Sequence, residues 1–220
     1  MTNRLTLFLA ALVIATPAMA AKQIVVRSSG PSAKAYPVGK PIAAGTKVNL
    51  RAGDSITVLG PAKALVFKGP GEFRVIEATE ASAFSRSRFS ARRGIALPPG
   101  PWAANVERSG PVCIAKGMTL SLWRPDEQSE TSVTITGKGA KPATLRWPKG
   151  EATLAWPSAL PLTDGAVYRL RTAGQKAAGD WTIAAIGDVP ADRAATAEAL
   201  LKRGCNVQLD QLVERTLAEN

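Results

Sequence analysis

Histidine is absent from the 220-residue chain, and cysteine occurs only twice. Without imidazole there is no Ser-His or Cys-His nucleophile pair and no His-ligated metal site. The side chain that titrates most readily near neutral pH is missing as well. Cys113 and Cys205 are too few for a thiolate zinc set and do not form C-x-x-C, so thiol exchange chemistry has no support. Neither a G-x-S-x-G elbow nor an S-x-x-K motif occurs. After the opening segment no run approaches the ~18 apolar residues of a membrane-spanning helix. Aromatic residues make up only 5% of the chain, whereas 16 prolines and 19 glycines punctuate it. That composition suits many short strands better than long helices.

The chain opens MTNRLTLFLAALVIATPAMAAKQ. Arg4 supplies a positive start and Leu5 to Ala15 an apolar run. Pro17 breaks that run, and Ala18-Met19-Ala20 forms a cleavage signal. Residues 1–20 read as a secretory signal peptide, with Ala21 opening a mature chain in the periplasm that carries no transmembrane helix. In an oxidising compartment Cys113 and Cys205 are expected to pair. The alternatives are free thiols or a bond to another chain. An intrachain bond would close a loop of about 92 residues, for which chain entropy gives roughly 4–5 kcal/mol.

Charge is uneven. Residues 22–100 hold 13 Lys/Arg against four acids, +9, whereas residues 101–220 carry +1. The imbalance points to an anionic partner for the first half, or to a plain solvated basic surface. The candidate partners are lipid head groups with peripheral membrane contact, envelope polysaccharide, or an acidic protein face. Nucleic acid is not expected.

From Val48 apolar residues alternate in the pairs Val48/Leu50, Ile56/Val58, Leu65/Phe67 and Phe73/Val75. Ala52-Gly53-Asp54, Gly60-Pro61-Ala62 and Gly69-Pro70-Gly71 separate them. Period-2 alternation with Gly/Pro punctuation predicts a meander of four strands, preceded by one at Ile24–Arg27. These glycines do not make a phosphate loop. The P-loop pattern is missing, and Gly69-Pro70-Gly71 leads into a strand rather than the helix a dinucleotide fingerprint requires. Ala78 to Ala91 could hold a short helix, and Leu97 to Pro101 can be neither helix nor central strand.

Seven further strands are expected over Val112–Ala115, Thr119–Trp123, Thr131–Thr136, Ala143–Trp147, Ala152–Trp156, Val167–Arg171 and Trp181–Ile186, the signature of an antiparallel sandwich. Leu154/Trp156 and Tyr168/Leu170 are expected on its core side. The end reads as an αα-hairpin. Asp188 is the candidate cap and Pro190 the first helical position, Ala194/Ala197/Leu200/Leu201 form one stripe, and Gly204 stops the first helix. Leu209/Leu212/Val213/Leu217 stripe the second. The expected division is therefore 1–20 signal, 22–94 basic β-domain, 95–110 linker, 111–187 sandwich and 188–220 hairpin.

Candidate binding residues are Arg86, Arg88, Arg92 and Arg93, which could clamp phosphate or carboxylate, together with Lys63 and Lys68. An exposed row of Trp123, Trp147 and Trp156 could stack on sugar rings, although so few aromatics are expected inside. Asp126, Glu127 and Glu130 cluster in the polar segment RPDEQSE and are the candidates for a carboxylate hydrolase. That chemistry needs two carboxylates facing across a cleft, which one loop does not provide. A calcium loop would need D-x-D-x-D-G spacing. No catalytic residue, metal or cofactor is assigned.

NLRAGDSITVL and KALVFKGPGEFRV resemble the β-rich periplasmic domain of the FecR family. RSGPVCIAK and RGCNVQLDQLV also fit exported proteins that carry such a domain ahead of a cysteine-containing β-region. FecR proteins are sensors that relay a signal to a sigma factor. This chain shows no cytoplasmic anti-sigma segment, so the resemblance implies a periplasmic, non-enzymatic interaction module in envelope sensing or scaffolding. ATLAWPSALPLTDGAVYRLRTAG is similar in pattern to fibronectin-III or immunoglobulin-like modules. The expected function is non-catalytic binding. Envelope polysaccharide or peptidoglycan binding is the alternative, and a carboxylate hydrolase the third class.

Overall fold

The computed structural model describes residues 22–76, 98–175 and 179–219. The expected signal segment, the expected helix at 78–91 and the arginines at 86, 88, 92 and 93 lie outside the described residues. The described chain is mainly β, with two helices at its end.

The first β-unit holds β1 (Gln23–Ser29), β2 (Pro41–Ile42), β3 (Lys47–Leu50), β4 (Ser55–Leu59), β5 (Ala64–Lys68) and β6 (Gly71–Arg74). The strand positions agree with the alternation, but the meander order is corrected. β4 and β5 form a hairpin, β1 pairs antiparallel with β4, and the sheet runs β2-β1-β4-β5. β3 pairs with β6 rather than β4, as a separate two-stranded sheet.

The two bends flanking the β4–β5 hairpin cause this. The Asp54 N–H donates to the Arg51 carbonyl, and the Gly69 N–H donates to the Asp54 carbonyl at 3.0 Å, so both bends lie against each other. A Cβ on Gly69 would sit 2.0 Å from the Arg51 carbonyl oxygen, so this approach requires glycine. Chain leaving the hairpin at both ends therefore folds back over one face. Val25, Ile42, Val48, Leu50, Ile56, Val58, Leu65 and Val75 fill the space between.

β1 is buried on both faces. Its register slips between Val25 and Arg27, where it pairs with Val58 and Thr57. This bulge turns Arg27 onto the same face as Ile24 and Val26 and away from the small core.

The second β-unit holds β7 (Ala103–Asn105), β8 (Gly110–Ala115), β9 (Ser121–Trp123), β10 (Thr131–Gly137), β11 (Ala143–Trp147), β12 (Thr153–Ala155), β13 (Val167–Thr172) and β14 (Gly179–Ile186). They form a sheet in the order β11-β10-β13-β14-β8 and another in the order β12-β9-β7. The all-antiparallel expectation is corrected at two places, because β14 pairs parallel with β8 and β7 parallel with β9. Residues 103–110, assigned above to the linker, contain β7 and the start of β8.

One core joins the two sheets. Trp156 meets Tyr168 edge-on at 5.0 Å and stacks on Trp181 at 6.2 Å. Its indole N–H donates to the Leu160 carbonyl at 2.7 Å, and the Tyr168 hydroxyl donates to the Pro161 carbonyl at 2.5 Å. Burial shifts the Tyr168 hydroxyl pKa upward. The Pro-rich loop is thus held to the core by hydrogen bonds that buried indole and phenol groups require.

The helices are α1 (Arg193–Lys202) and α2 (Asn206–Glu219). The cap is Asp192 rather than Asp188, and Pro190 precedes the helix. The Asp192 carboxylate accepts the Ala195 N–H at 2.8 Å, and its carbonyl accepts from Thr196. Gly204 ends α1 at φ +73°, as expected of a C-terminal glycine.

The hairpin bridges the two β-units. A single apolar cluster takes Ile24, Val26, Leu59 and Ala64 from the first, Cys113 and Ala184 from the second, and Ala194, Ala197, Leu200, Cys205, Leu209, Leu212 and Val213 from the helices. Cys113 and Cys205 form a disulfide inside it, both fully buried. Beside the disulfide, Gln208 caps the edge of β8. Its Oε1 accepts the Cys113 N–H at 2.6 Å, and its Nε2 donates to the Cys113 carbonyl at 2.9 Å. No helix among the described residues is long and apolar enough to cross a membrane.

Two losses should follow from this arrangement. Cys113→Ala with Cys205→Ala should lower unfolding free energy by about 2–5 kcal/mol, read from the urea midpoint. Gln208→Ala, which strands two buried backbone groups, should cost roughly 2–4 kcal/mol in the same titration.

Candidate anion-binding surface

The first β-unit presents two sides, and the chain treats their cations differently. On the side facing the helices, Lys22 pairs with Glu198 at 2.5 Å, and Arg27 reaches Asp210 at 3.1 Å and Glu214 at 2.8 Å. Arg27 gains this position from the β1 bulge. Lys22, and Lys202 after it, hold the Glu198 carboxyl below its usual range. Exposed pairs of this kind each contribute ~0–1 kcal/mol. Their main effect is to orient an acidic helical face against a basic sheet.

The opposite side is the outer face of β3 and β6. Their apolar residues point inward, leaving Lys47, Asn49, Glu72 and Arg74 exposed. Register places Lys47 opposite Arg74 and Asn49 opposite Glu72. Lys47 bonds Glu72 at 2.8 Å. Arg51 is exposed just past the end of β3.

The loop between β1 and β2 adds Lys34 and Lys40. The Tyr36 hydroxyl accepts the Asn49 N–H at 3.0 Å, which fastens the loop to β3. The Lys40 ammonium lies 5.2 Å from the Tyr36 ring centroid and donates to the Ala35 carbonyl at 2.7 Å. Lys34, Lys40, Lys47, Arg51 and Arg74 thus share a region of the unit where Glu72 is the one exposed acid among the described residues.

Asp54 organises this region from beneath. It is 3% exposed, and its carboxylate accepts the Ser32 N–H at 2.8 Å and the Arg51 N–H at 2.5 Å. It therefore ties the β1–β2 loop to the turn after β3. Burial acts to raise its pKa. The hydrogen bonds from Ser32 and Arg51, with the Arg51 charge, outweigh burial and hold the carboxyl below its ordinary value of 3.8. Gly53, at φ +82°, supplies the left-handed residue of that turn. The G-D pair thus shapes the turn beneath this surface.

The expected site residues are not brought together here. Lys63 sits in the β4–β5 turn, where the Gly60 N–H meets its carbonyl, and Lys68 lies at the far end of β5 opposite Ser55. Arg193 of α1 also closes on that turn, bonding the Pro61 and Ala62 carbonyls. The four clustered arginines lie outside the described residues.

The tryptophans lie inside, as expected of a chain with so few aromatics. Trp123, Trp147 and Trp156 are all buried, so none offers a ring face to a sugar. Trp147 also carries the Arg124 guanidinium at 5.0 Å, which donates to the Glu151 and Pro148 carbonyls. Arg124 thereby clamps the β11–β12 turn.

The acids at 126–130 are also dispersed. Asp126 accepts the Gln128 N–H within its own turn, whereas Glu130 pairs with Arg146 through two bonds on the sheet's outer face. The Arg146 hydrogen bonds and charge hold the Glu130 carboxyl below its usual range, opposite to what a general acid needs. Among the described residues no group of three or more Asp, Glu or Cys could hold a metal ion.

Lys34, Lys40, Arg51 and Arg74 were missed as a set. Lys47 and Arg74 lie on the exposed faces of KVNL and GEFR, but only the β3–β6 pairing makes those faces one surface. Comparison with protein families, curated proteins and solved structures finds no match to this chain.

Asp54 gives a pH test. Its folded pKa is depressed, so its stabilisation is complete above the unfolded value near 3.8 and is lost as pH falls through the lower folded value. Asp54→Asn should lower Tm at neutral pH. The gap between variant and parent should close as pH drops through the folded pKa, measured by thermal melts from neutral pH into acid.

Proposed function

We propose that the chain is a non-catalytic binding or scaffolding protein of the periplasm, which meets an anionic face of an envelope partner with the outer side of its first β-unit. The observation that carries this reading is the asymmetry of pairing. Among the described residues, Lys22 and Arg27 on the helix side of that unit are matched by helix acids, whereas five cations on the outer side share one exposed acid. An evenly solvated basic protein has no reason to sort its charges this way.

The buried disulfide agrees with an oxidising compartment, and the signal-like first segment with export. The resemblance to FecR-type domains supports a part in envelope sensing, with this chain as an interaction module. The missing histidine leaves little for nucleophile or metal chemistry to use. A protein face is favoured over polysaccharide because Trp123, Trp147 and Trp156 are buried, which leaves sugar recognition without their stacking platform.

Replacing Lys34, Lys40, Arg51 and Arg74 together with Gln tests the reading. Periplasmic crosslinking of the mature chain should capture a protein partner in a salt-sensitive manner. The fourfold variant should lose about 1 kcal/mol of affinity per removed cation, the scale for basic groups at an anionic surface. Equal capture by parent and variant would sink the proposal. Retention on purified sacculi would move the partner from protein to envelope polysaccharide.

A further inference from the structure

β6 is one edge of the two-stranded β3–β6 sheet, and the phase of that ladder decides which of its backbone groups are used. The Val75 N–H donates to the Thr46 carbonyl at 2.9 Å, and the register continues through Lys47/Arg74, Val48/Phe73 and Asn49/Glu72. Directly opposed antiparallel residues alternate between bonded and unbonded pairs. Thr46/Val75 and Val48/Phe73 are therefore bonded, and the N–H and carbonyl groups of Glu72 and Arg74 point away from β3. Asn49 agrees with this phase, since its N–H leaves the ladder for the Tyr36 hydroxyl at 3.0 Å. That bond closes part of the β3 edge. On the β6 edge, the backbone groups of Glu72 and Arg74 have no hydrogen-bond partner among the described residues. Neither a proline nor a bulge interrupts Gly71–Arg74.

The two faces beside this edge differ. On the outer face Lys47 already holds Glu72 at 2.8 Å, whereas Arg74 donates to the Gly45 carbonyl at 3.3 Å and meets no acid among the described residues. On the inner face Phe73 meets Phe67 of β5 at 5.6 Å, and both rings stay half-buried. β5 is the end strand of the larger sheet of this unit. The two rings therefore line the seam where the end strands of both sheets come together. Side chains alternate along a strand. A further strand laid on β6 would set its residue opposite Arg74 on the outer face and its residue opposite Phe73 at the seam.

We infer that the β6 edge takes an extended segment of a partner protein as an added strand, with an acidic residue opposite Arg74 and an apolar one opposite Phe73. The main-chain groups of Glu72 and Arg74 hold such a strand, and its side chains give it specificity. Arg74 selects an acid on the outer face, as opposite charges do across a strand pair, and the phenylalanine seam selects a hydrophobe on the inner face. A two-stranded sheet is also the least self-sufficient kind, so a third strand adds most to it. The inference rests on the proposed reading of the basic surface and names the form its partner takes there. A polypeptide meets the requirement, because it brings a regularly spaced backbone with side chains on alternate faces.

The test uses the 15N-labelled mature chain and the peptide acetyl-Val-Asp-Val-Asp-Val-Thr-amide. In the free chain the Glu72 and Arg74 backbone amides should exchange rapidly with solvent. With the peptide in excess they should shift, saturate and become protected. A control with Lys in place of both Asp should bind roughly fivefold more weakly or worse, the scale of one cross-strand charge pair. Only alternate N–H groups of an added strand face β6. Methylating the backbone nitrogens of both Asp, or of the Val residues instead, should therefore abolish binding in one case and spare it in the other. Protection of the two amides in the free chain would show the edge already filled and overturn the inference. So would the absence of saturable shifts, equal affinity of the acidic and Lys peptides, or equal effects of the two methylations. Glu72→Pro removes one edge N–H where an edge strand tolerates proline, and it keeps Lys34, Lys40, Arg51 and Arg74. It should lose the partner in periplasmic crosslinking. A partner kept by Glu72→Pro but lost by the fourfold Gln variant would overturn the strand addition and leave the proposed function standing.

Discussion

The apolar contact of the helical hairpin with both β-units is the constraint on which the rest depends. The two units share no sheet, and each closes its own core. What relates them is the third cluster, where Leu200, Leu209, Leu212 and Val213 pack at once against β1, β4 and β5 and against β8 and β14. Fully burying a side chain of this size contributes about 1.5–3 kcal/mol. Such contacts have no direction of their own. The Cys113–Cys205 bond and the Gln208 bonds to Cys113 supply it, fixing which part of the hairpin meets β8. Gln208 also closes an edge strand that would otherwise show unpaired backbone groups.

Charge follows from that docking. Once the hairpin lies against the β1 face, its acids take up Lys22 and Arg27, and the described cations of the first β-unit divide into those matched by helix acids and those on the β3–β6 side. A net charge along a sequence cannot make this distinction, because the matching acids come from residues almost two hundred positions away. The bonds of Gln208 and Arg215 to the Pro101 and Pro98 carbonyls likewise join segments more than a hundred residues apart.

Strand positions in both units were legible because side-chain alternation and Gly/Pro punctuation are local properties. The helices were legible from their apolar stripes, and the buried faces of Trp156, Tyr168 and Leu170 from period-2 spacing. Strand partners were not. Val48 and Leu50 alternate equally well beside β4 or beside β6, and only the close approach of Gly69 to Arg51 sends them to β6. Likewise Asp188 and Asp192 both have capping chemistry, and the choice between them rests on which start turns Ala194, Ala197 and Leu200 toward the bridging cluster. Arg27 looked like an ordinary strand residue until the bulge redirected it. Lys63 and Lys68 were grouped as candidate binding residues, and they stand at opposite ends of β5.

The sequence by itself determined a mainly β chain with a closing pair of helices, a pair of cysteines suited to one bond, and a chemistry without imidazole. These depend on composition and on periodicities a few residues long. Tertiary structure decided the rest: the β3–β6 pairing, the parallel partners of β8 and β9, and the docking of helix acids onto Lys22 and Arg27. Each of these depends on which distant segment arrives opposite a given face. Local alternation can say that a face is apolar or charged, but only packing selects the surface that covers it.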